Sequence, residues 1–182
     1  MPLRLKRFEV LHELLPTARR VAELVNPNNP FSRFARKEYE EAYRSVGMQP
    51  LFVDVEGASD FGAAFAKLRR LRPEALVVPA DGLFISNAVW LMRAAARQAL
   101  PTMVDLRSMV LSGGLVCYTY SGAEEDRCFA SFVDTILRGA NPGELPIEQP
   151  TKFELLFNLK TAKELHLTIP QSMLLRADEL IQ

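Results

Sequence analysis

Short apolar runs alternate with amphipathic segments through the first 120 residues of the chain. The apolar runs predict strands at 20–25, 51–55, 76–79, 101–104 and 115–118. Apolar residues spaced three or four positions apart predict helices at 8–15, 31–46, 61–71 and 84–99, with a helical turn at 106–111. The turn residues agree with these boundaries: the NPNNP run at 26–30 suits a turn and a helix start, Gly47 is placed to end a helix, and Asp60 to cap one.

Strands that alternate with helices of about a dozen residues indicate βαβ units, a parallel sheet and right-handed crossovers. We therefore expect a doubly wound α/β lobe with about five strands in flavodoxin-like order. After Tyr120 the pattern changes. A helix is predicted at 123–137, a proline-containing stretch at 141–150, a strand at 153–157 and a short helix at 159–165. We interpret residues 1–120 as the lobe and residues 121–182 as an appendage to it.

Charge and hydropathy exclude several classes of function. Lysine plus arginine and aspartate plus glutamate are equal at 22 each, so no net field attracts nucleic acid or an anionic membrane. The apolar stretches are much shorter than the roughly 20 residues of a membrane-spanning helix. The residues after Met1 lack a secretion-signal pattern, so a chain that starts there is expected to stay in the cytoplasm.

Polar side chains follow the predicted strands, where open parallel sheets bind their ligands. The candidate ligand-binding residues are Asn26, Asn28, Asp81, Asp105, Arg107 and Tyr118. Asp81 or Asp105 can pair with an ammonium group, Arg107 with a carboxylate, and Tyr118 can stack on the ligand. The alternative interpretation is that these are ordinary cap and turn residues, because loops of this fold are polar in any case.

Motifs for catalysis, cofactors and metals are missing from the sequence. It contains no GxGxxG, GxxxxGK[ST] or GxSxG motif. His12 and His166 lie at opposite ends of the chain, and Cys117 and Cys128 lack the spacing of a zinc or disulfide motif. We expect both cysteines to be buried thiols, and we expect no cofactor, no metal and no enzymatic activity.

Several segments resemble the ABC transporter substrate-binding family that includes tryptophan- and phenylalanine-binding lipoproteins. They are KRFEVLHELLP at 6–16, VNPNNP at 25–30, VPAD at 78–81, LPIEQPTKFEL at 145–155, NLKTAK at 158–163 and LTIP at 167–170. The resemblance implies a type I periplasmic-binding fold, in which two α/β lobes close on a ligand. It also implies an extracytoplasmic location and an ABC permease as partner.

The same resemblance implies that this chain carries the second lobe and the tail, without the first lobe and the signal sequence. The helix at 123–137 is then expected to pack on the missing lobe or on a partner chain. Asp81 matches the acidic residue of the Thr-Asp-Asn loop in the aromatic-amino-acid binders. Ala80 and Gly82 depart from that loop, and Cys117-Tyr118-Thr119 departs from Ser-Tyr-Gly, so a different ligand is possible.

Three functions remain open at this point. The leading hypothesis is a solute-binding component, in fragment form, of an ABC import system that binds a small amino-acid-like or amide-bearing ligand. The second is a homodimeric small-molecule sensing module of the same fold, and the third is a small α/β enzyme. Without the first lobe, Phe129, Phe132, Val133 and Ile136 lose their packing surface, so we expect self-association through this helix and weak ligand binding.

Overall fold

The structure is a computed structural model that describes residues 3–182, apart from the side chain of Arg33. The α-helices are α1 (Leu3–Leu14), α2 (Pro30–Ser45), α3 (Phe61–Leu71), α4 (Gly82–Ser86), α5 (Ala88–Ala96), α6 (Arg107–Leu111), α7 (Gly122–Leu137), α8 (Leu159–Glu164) and α9 (Gln171–Leu174). The strands are β1 (Arg20–Val25), β2 (Gln49–Asp54), β3 (Ala75–Val78), β4 (Thr102–Val104), β5 (Val116–Tyr120), β6 (Phe153–Asn158) and β7 (Glu179–Ile181).

The strands form one seven-stranded sheet in the order β2-β1-β3-β4-β5-β6-β7. The first five pair in parallel, which confirms the predicted fold class and the flavodoxin-like order. Strand β6 returns antiparallel to β5, and β7 pairs in parallel with β6. The appendage therefore widens the same sheet by two strands, one of which the sequence pattern did not predict.

Helices cover both faces of the sheet, so the central strands are buried on both sides. Helices α3 to α6 pack on one face and α1, α2, α8 and α9 on the other. This explains why β1, β3 and β4 are continuous apolar runs. Glu23, fully buried in the middle of β1, is the exception.

Most predicted helix boundaries agree with the structure. Asn29 caps α2 through its side chain, which accepts from the Phe31 amide at 3.0 Å, and Gly47 follows α2 with a φ of 76°. Three details were wrong. Helix α1 begins at Leu3, five residues before its predicted start. The Asp60 carboxylate accepts from backbone amides that precede it, not from the first turn of α3. The helix predicted at 84–99 is broken at Asn87, whose side chain donates to the Leu83 carbonyl.

Helix α7 has almost no packing partner within the chain. None of its residues is buried, and Phe129 and Leu137 are 72% and 82% exposed. A recess of about 850 Å³ separates α7 from residues 148–151. The chain reaches α7 through Ser121, whose amide donates to the Lys152 carbonyl at 3.0 Å, so the outgoing and returning segments run side by side. Among the described residues, no helix is long and apolar enough to cross a membrane.

Candidate functional site

A groove of about 430 Å³ lies at the carboxyl edge of the sheet. Strands β1, β3, β4 and β5 all end there, because parallel strands point their carboxyl ends to one side. The walls are completed by α1 and by one face of α2. The recess beside α7 is larger, but only α7 and an extended segment form it. The groove is therefore the better candidate site, since polar groups from six elements converge on it.

Asp81 is the best-defined polar group of the groove. It follows β3 and caps α4, accepting from the Leu83 amide at 2.9 Å. Two side-chain amides also donate to its carboxylate: Asn26 Nδ2 to Oδ1 at 3.0 Å and Asn29 Nδ2 to Oδ2 at 2.9 Å. Since Asn26 follows β1 and Asn29 begins α2, Asp81 joins the tips of two neighbouring strands.

These hydrogen bonds keep Asp81 ionised. Burial by itself would raise the pKa of the carboxyl group, but the donors Asn29, Asn26 and Leu83 N–H outweigh it and lower the pKa below its ordinary value. No cation lies within ion-pair distance of Asp81 among residues 3–182, with the Arg33 side chain left aside. The groove thus holds a carboxylate that is stabilised by neutral donors and keeps its negative charge.

Asp105 lies nearby, but its charge is already matched. Its Oδ2 contacts Arg7 Nη1 at 2.8 Å and accepts from the Ala80 amide at 3.2 Å. Arg7 also donates from Nε to the Tyr118 carbonyl at 2.7 Å and from Nη2 to the Asp105 carbonyl at 3.3 Å. This pair clamps the ends of β3, β4 and β5 together.

A second ion pair, between a partly buried arginine and a fully buried carboxylate, lines the same groove. Arg4 Nη1 contacts Glu23 Oε1 at 2.6 Å, and the Tyr43 hydroxyl donates to Glu23 Oε2 at 2.8 Å. The Arg4 guanidinium also lies over the Tyr39 ring at 3.5 Å. Burial raises the pKa of Glu23, and the nearby Arg4 offsets this only in part. This cluster anchors α1 and α2 to β1.

The structure brings together some of the ligand-binding residues that were predicted from the sequence. Asn26 and Asp81 are hydrogen-bonded, and Asp105 lines the same groove. The other three lie outside the groove lining. Arg107 forms a two-pronged ion pair with Glu179 at 2.6 and 2.7 Å. Asn28 Nδ2 donates to the Glu56 carbonyl, and the Tyr118 ring stacks on Phe153, with centroids 5.7 Å apart.

Sequence reasoning missed several groove residues, namely Arg4, Arg7, Glu23, Asn29, Phe31, Ser32, Arg36 and Tyr39. A signal for the arginines was present. Arg4 stands four positions before Phe8, and Arg7 stands four positions before Leu11, so both fall on the stripe of α1 that packs against the sheet. A charge within such a stripe must find a partner, and so must Glu23 within an apolar strand.

The cysteines are only partly as predicted. Cys117 is buried, and burial raises the pKa of its thiol to about 12. Cys128 is half-buried rather than buried, and its thiol lies 3.1 Å from Glu148 Oε2. Both are free thiols. Within the described residues, His, Cys, Asp and Glu form no cluster suited to a metal ion.

An α/β lobe with a polar groove along its strand ends is an architecture that binds small ligands at this edge of the sheet. The family model for ABC transporter substrate binding proteins matches residues 3–181, and the chain belongs to this family. The family consists of substrate-binding proteins rather than enzymes, in agreement with the expectation from the sequence.

The chain is similar to a tyrosine-binding protein of Clostridioides difficile strain R20291, with 20% identity over 160 residues that cover 88% of this chain and 46% of that protein. It superimposes with a TM-score of 0.88 and 20% identity on an ABC domain from Streptococcus pneumoniae solved in complex with L-Trp, covering 98% of this chain and 60% of that one. A conserved domain protein from Vibrio cholerae O1 biovar El Tor gives a TM-score of 0.87 at 20% identity, with the same coverage.

The chain therefore spans about half of the curated relative and 60% of each of these two solved chains. At this level of identity, the superpositions establish the fold. They confirm that the seven-stranded lobe is the kind of lobe found in periplasmic binding proteins.

Proposed function

We propose that this chain forms one lobe of an extracytoplasmic substrate-binding protein that serves an ABC permease, and that Asp81 binds the ammonium group of a small, amino-acid-like ligand. The observation that carries the proposal is the setting of Asp81, a groove carboxylate that accepts three hydrogen bonds from neutral donors and has no cationic partner among the described groups. Relatives named for tyrosine binding and solved with L-Trp support a ligand that carries an ammonium group.

Charge matching favours Asp81 over Asp105 and Glu23, and Glu38, the remaining acidic residue of the groove lining, is exposed to solvent. Arg7 already pairs with Asp105, and Arg4 with Glu23. A carboxylate offers about four lone-pair positions, and three hydrogen bonds to Asp81 leave room for one more donor. A ligand ammonium would complete this set and neutralise the charge.

The proposal is tested by titrating the isotope-labelled chain with tryptamine, which has an amine and no carboxylate, and with indole-3-propionate, which has the reverse. Asp81→Asn is expected to weaken tryptamine binding by about tenfold or more and to leave indole-3-propionate unaffected. Asp134→Asn, an exposed change on α7, is the matched control. Equal binding of tryptamine by the wild-type chain and by Asp81→Asn would refute the role of Asp81.

The exposed face of α7 supports a division of the molecule at residues 120 and 121. Residues 1–120 would form the lobe, and residues 121–182 would pass to a second lobe and back. The absence of any buried residue in α7 supports this, because a 16-residue helix needs tertiary packing for most of its stability. In this proposal, α7 packs on the second lobe, which also closes the groove over the ligand.

The same observation favours a second candidate function, a homodimeric sensing module. Two copies can bury the apolar side chains of α7 against each other, and a two-fold contact would pair the same face of each chain. Sedimentation velocity distinguishes the two, because a folded monomer at micromolar concentration contradicts the homodimer.

A further inference from the structure

Arg36 is the groove arginine with the weakest protein partner. It projects from α2, and its guanidinium lies over the Phe52 ring at 4.7 Å from the centroid. Its carboxylate neighbour, Asp54, is 3.5 Å away, and both side chains are about half exposed. An exposed ion pair of this length contributes little to stability. The Phe52 ring therefore positions a cation whose hydrogen-bonding capacity is largely unused.

The other arginines near the groove are occupied. Arg7 makes an ion pair and two hydrogen bonds to backbone carbonyls. Arg4 contacts a fully buried carboxylate at 2.6 Å. Arg107 donates to both carboxylate oxygens of Glu179 and lies outside the groove lining, although the sequence predicted it as the partner of a ligand carboxylate.

Ser32 stands one helical turn before Arg36 on α2, and both residues line the groove. Residues four apart on a helix are neighbours on one face, and long side chains lean toward the helix amino terminus. The Arg36 guanidinium itself lies against Phe52 and Asp54, and Ser32 stands on the adjacent turn of the helix. A hydroxyl and a guanidinium on one face offer donors of the kind that bind a carboxylate.

We propose that Arg36, assisted by the Ser32 hydroxyl, forms an anion subsite that binds the carboxylate of the ligand. This inference rests on the proposed function, because it places the carboxylate subsite opposite the ammonium subsite at Asp81. Together the two subsites narrow the ligand class to zwitterions with closely spaced charges, that is, α-amino acids.

The strand register supports this spacing. Asp54, which contacts Arg36, pairs with Val25 at the end of β1. The next residue, Asn26, donates to Asp81. Asp81 and Arg36 therefore lie near the same level of β1, on its β3 and β2 sides. Strands β3 and β2 flank β1 at about 5 Å each, so Asp81 and Arg36 lie on two sides of a space that a small zwitterion can bridge with a hydrogen bond at each end.

The test is a titration of the full 182-residue chain, carrying a ¹⁵N label, with L-tryptophan, tryptamine and indole-3-propionate. The arginine Nε–Hε signal of Arg36, assigned from its loss in Arg36→Gln, reports on the subsite directly. Arg36→Gln is expected to weaken L-tryptophan and indole-3-propionate by about tenfold and to change tryptamine by less than about twofold. Arg36→Lys keeps the charge and should recover part of the loss. Arg44→Gln, an exposed change on the same helix, should change none of the three.

The outcomes separate the two proposals. Tryptamine binding that is lost in Asp81→Asn, together with unchanged indole-3-propionate binding in Arg36→Gln, would preserve the ammonium site and overturn the anion subsite. A saturable shift of the Arg36 signal by indole-3-propionate, together with tryptamine binding that Asp81→Asn leaves unchanged, would preserve the anion subsite and overturn the ammonium site. Equal weakening of all three ligands in Arg36→Gln would assign Arg36 a structural role and overturn the subsite. The anion subsite would also be overturned if indole-3-propionate, added up to its solubility limit, did not shift the Arg36 signal.

Discussion

Replacing Arg7 by methionine is expected to destabilise the fold strongly. Methionine fills much of the same volume with a flexible apolar chain, so the change removes charge and hydrogen bonds more than packing. Arg7 makes the 2.8 Å ion pair with Asp105 and hydrogen bonds to the Tyr118 and Asp105 carbonyls. The variant leaves a carboxylate and two carbonyls with fewer donors at the meeting point of three strands.

The magnitude follows from burial. The side chains of Arg7 and Asp105 are 11% and 7% exposed, so the remaining charge would sit largely out of water. Removing one partner of a buried pair costs about 3 to 5 kcal/mol. Since the groove admits some water to Asp105, we expect the lower end, about 3 kcal/mol. The exposed Lys6–Glu9 pair on the same helix is the control, and Lys6→Met should cost no more than about 0.5 kcal/mol.

Urea unfolding measures both changes. Trp90, the one tryptophan of the chain, is 41% exposed and stacks on the buried Phe61, so its fluorescence reports the transition. The double variant Arg7→Met/Asp105→Asn should be more stable than Arg7→Met alone, because it removes the unpaired charge. A free energy of unfolding for Arg7→Met within about 1 kcal/mol of wild type would refute the idea that the Arg7–Asp105 pair holds the strand ends together. A double variant less stable than Arg7→Met would refute the charge argument.

Three further predictions concern packing, self-association and pH. Gly114→Ala places a Cβ 2.9 Å from the Met109 carbonyl oxygen and should lower the free energy of unfolding by about 1 to 3 kcal/mol. Gly62→Ala has open space around it in α3 and should raise the free energy of unfolding by about 0.5 kcal/mol. Urea titration measures both. Phe129→Ser should change monomer stability by less than about 0.5 kcal/mol yet reduce self-association in sedimentation velocity; unchanged sedimentation would exclude this face. Because the folded pKa of Asp81 is lowered, tryptamine affinity should stay constant from about pH 7 to pH 5 and fall only below about pH 4; a loss already near pH 6 would contradict the ionised carboxylate.

The sequence predicted the fold because its signals were local and repeated. Buried parallel strands appear as apolar runs, amphipathic helices separate them, and their order follows from right-handed crossovers. Strand β7 lacked such a signal, since it has three residues and lies at the edge of the sheet. The break at Asn87 was also not predictable, because the apolar spacing continues through it and an amide hydrogen bond makes the kink.

The candidate site was only partly predictable. Asn26 and Asp81 meet because both follow neighbouring strands, and sequence reveals strand ends. For Tyr118 only the strand end was predicted wrongly: β5 continues to Tyr120, so Tyr118 lies inside the strand with its ring against Phe153, and its role in ligand binding stays a prediction. Arg107 forms an ion pair with Glu179, which lies in the unpredicted strand β7. The sequence pattern therefore gave no signal for this pair.

The pairing of charges in the groove separates structural groups from available ones. Arg4 and Arg7 both come from α1, and each neutralises a buried carboxylate on a strand or at its end. These pairs hold α1 against the sheet, and within each pair the two charges neutralise each other in the absence of ligand. Asp81 differs because neutral amides stabilise it, and Arg36 differs because an aromatic ring positions it. Ligand selectivity should therefore depend on these two, whereas changes at the α1 pairs should weaken the fold and all ligands alike.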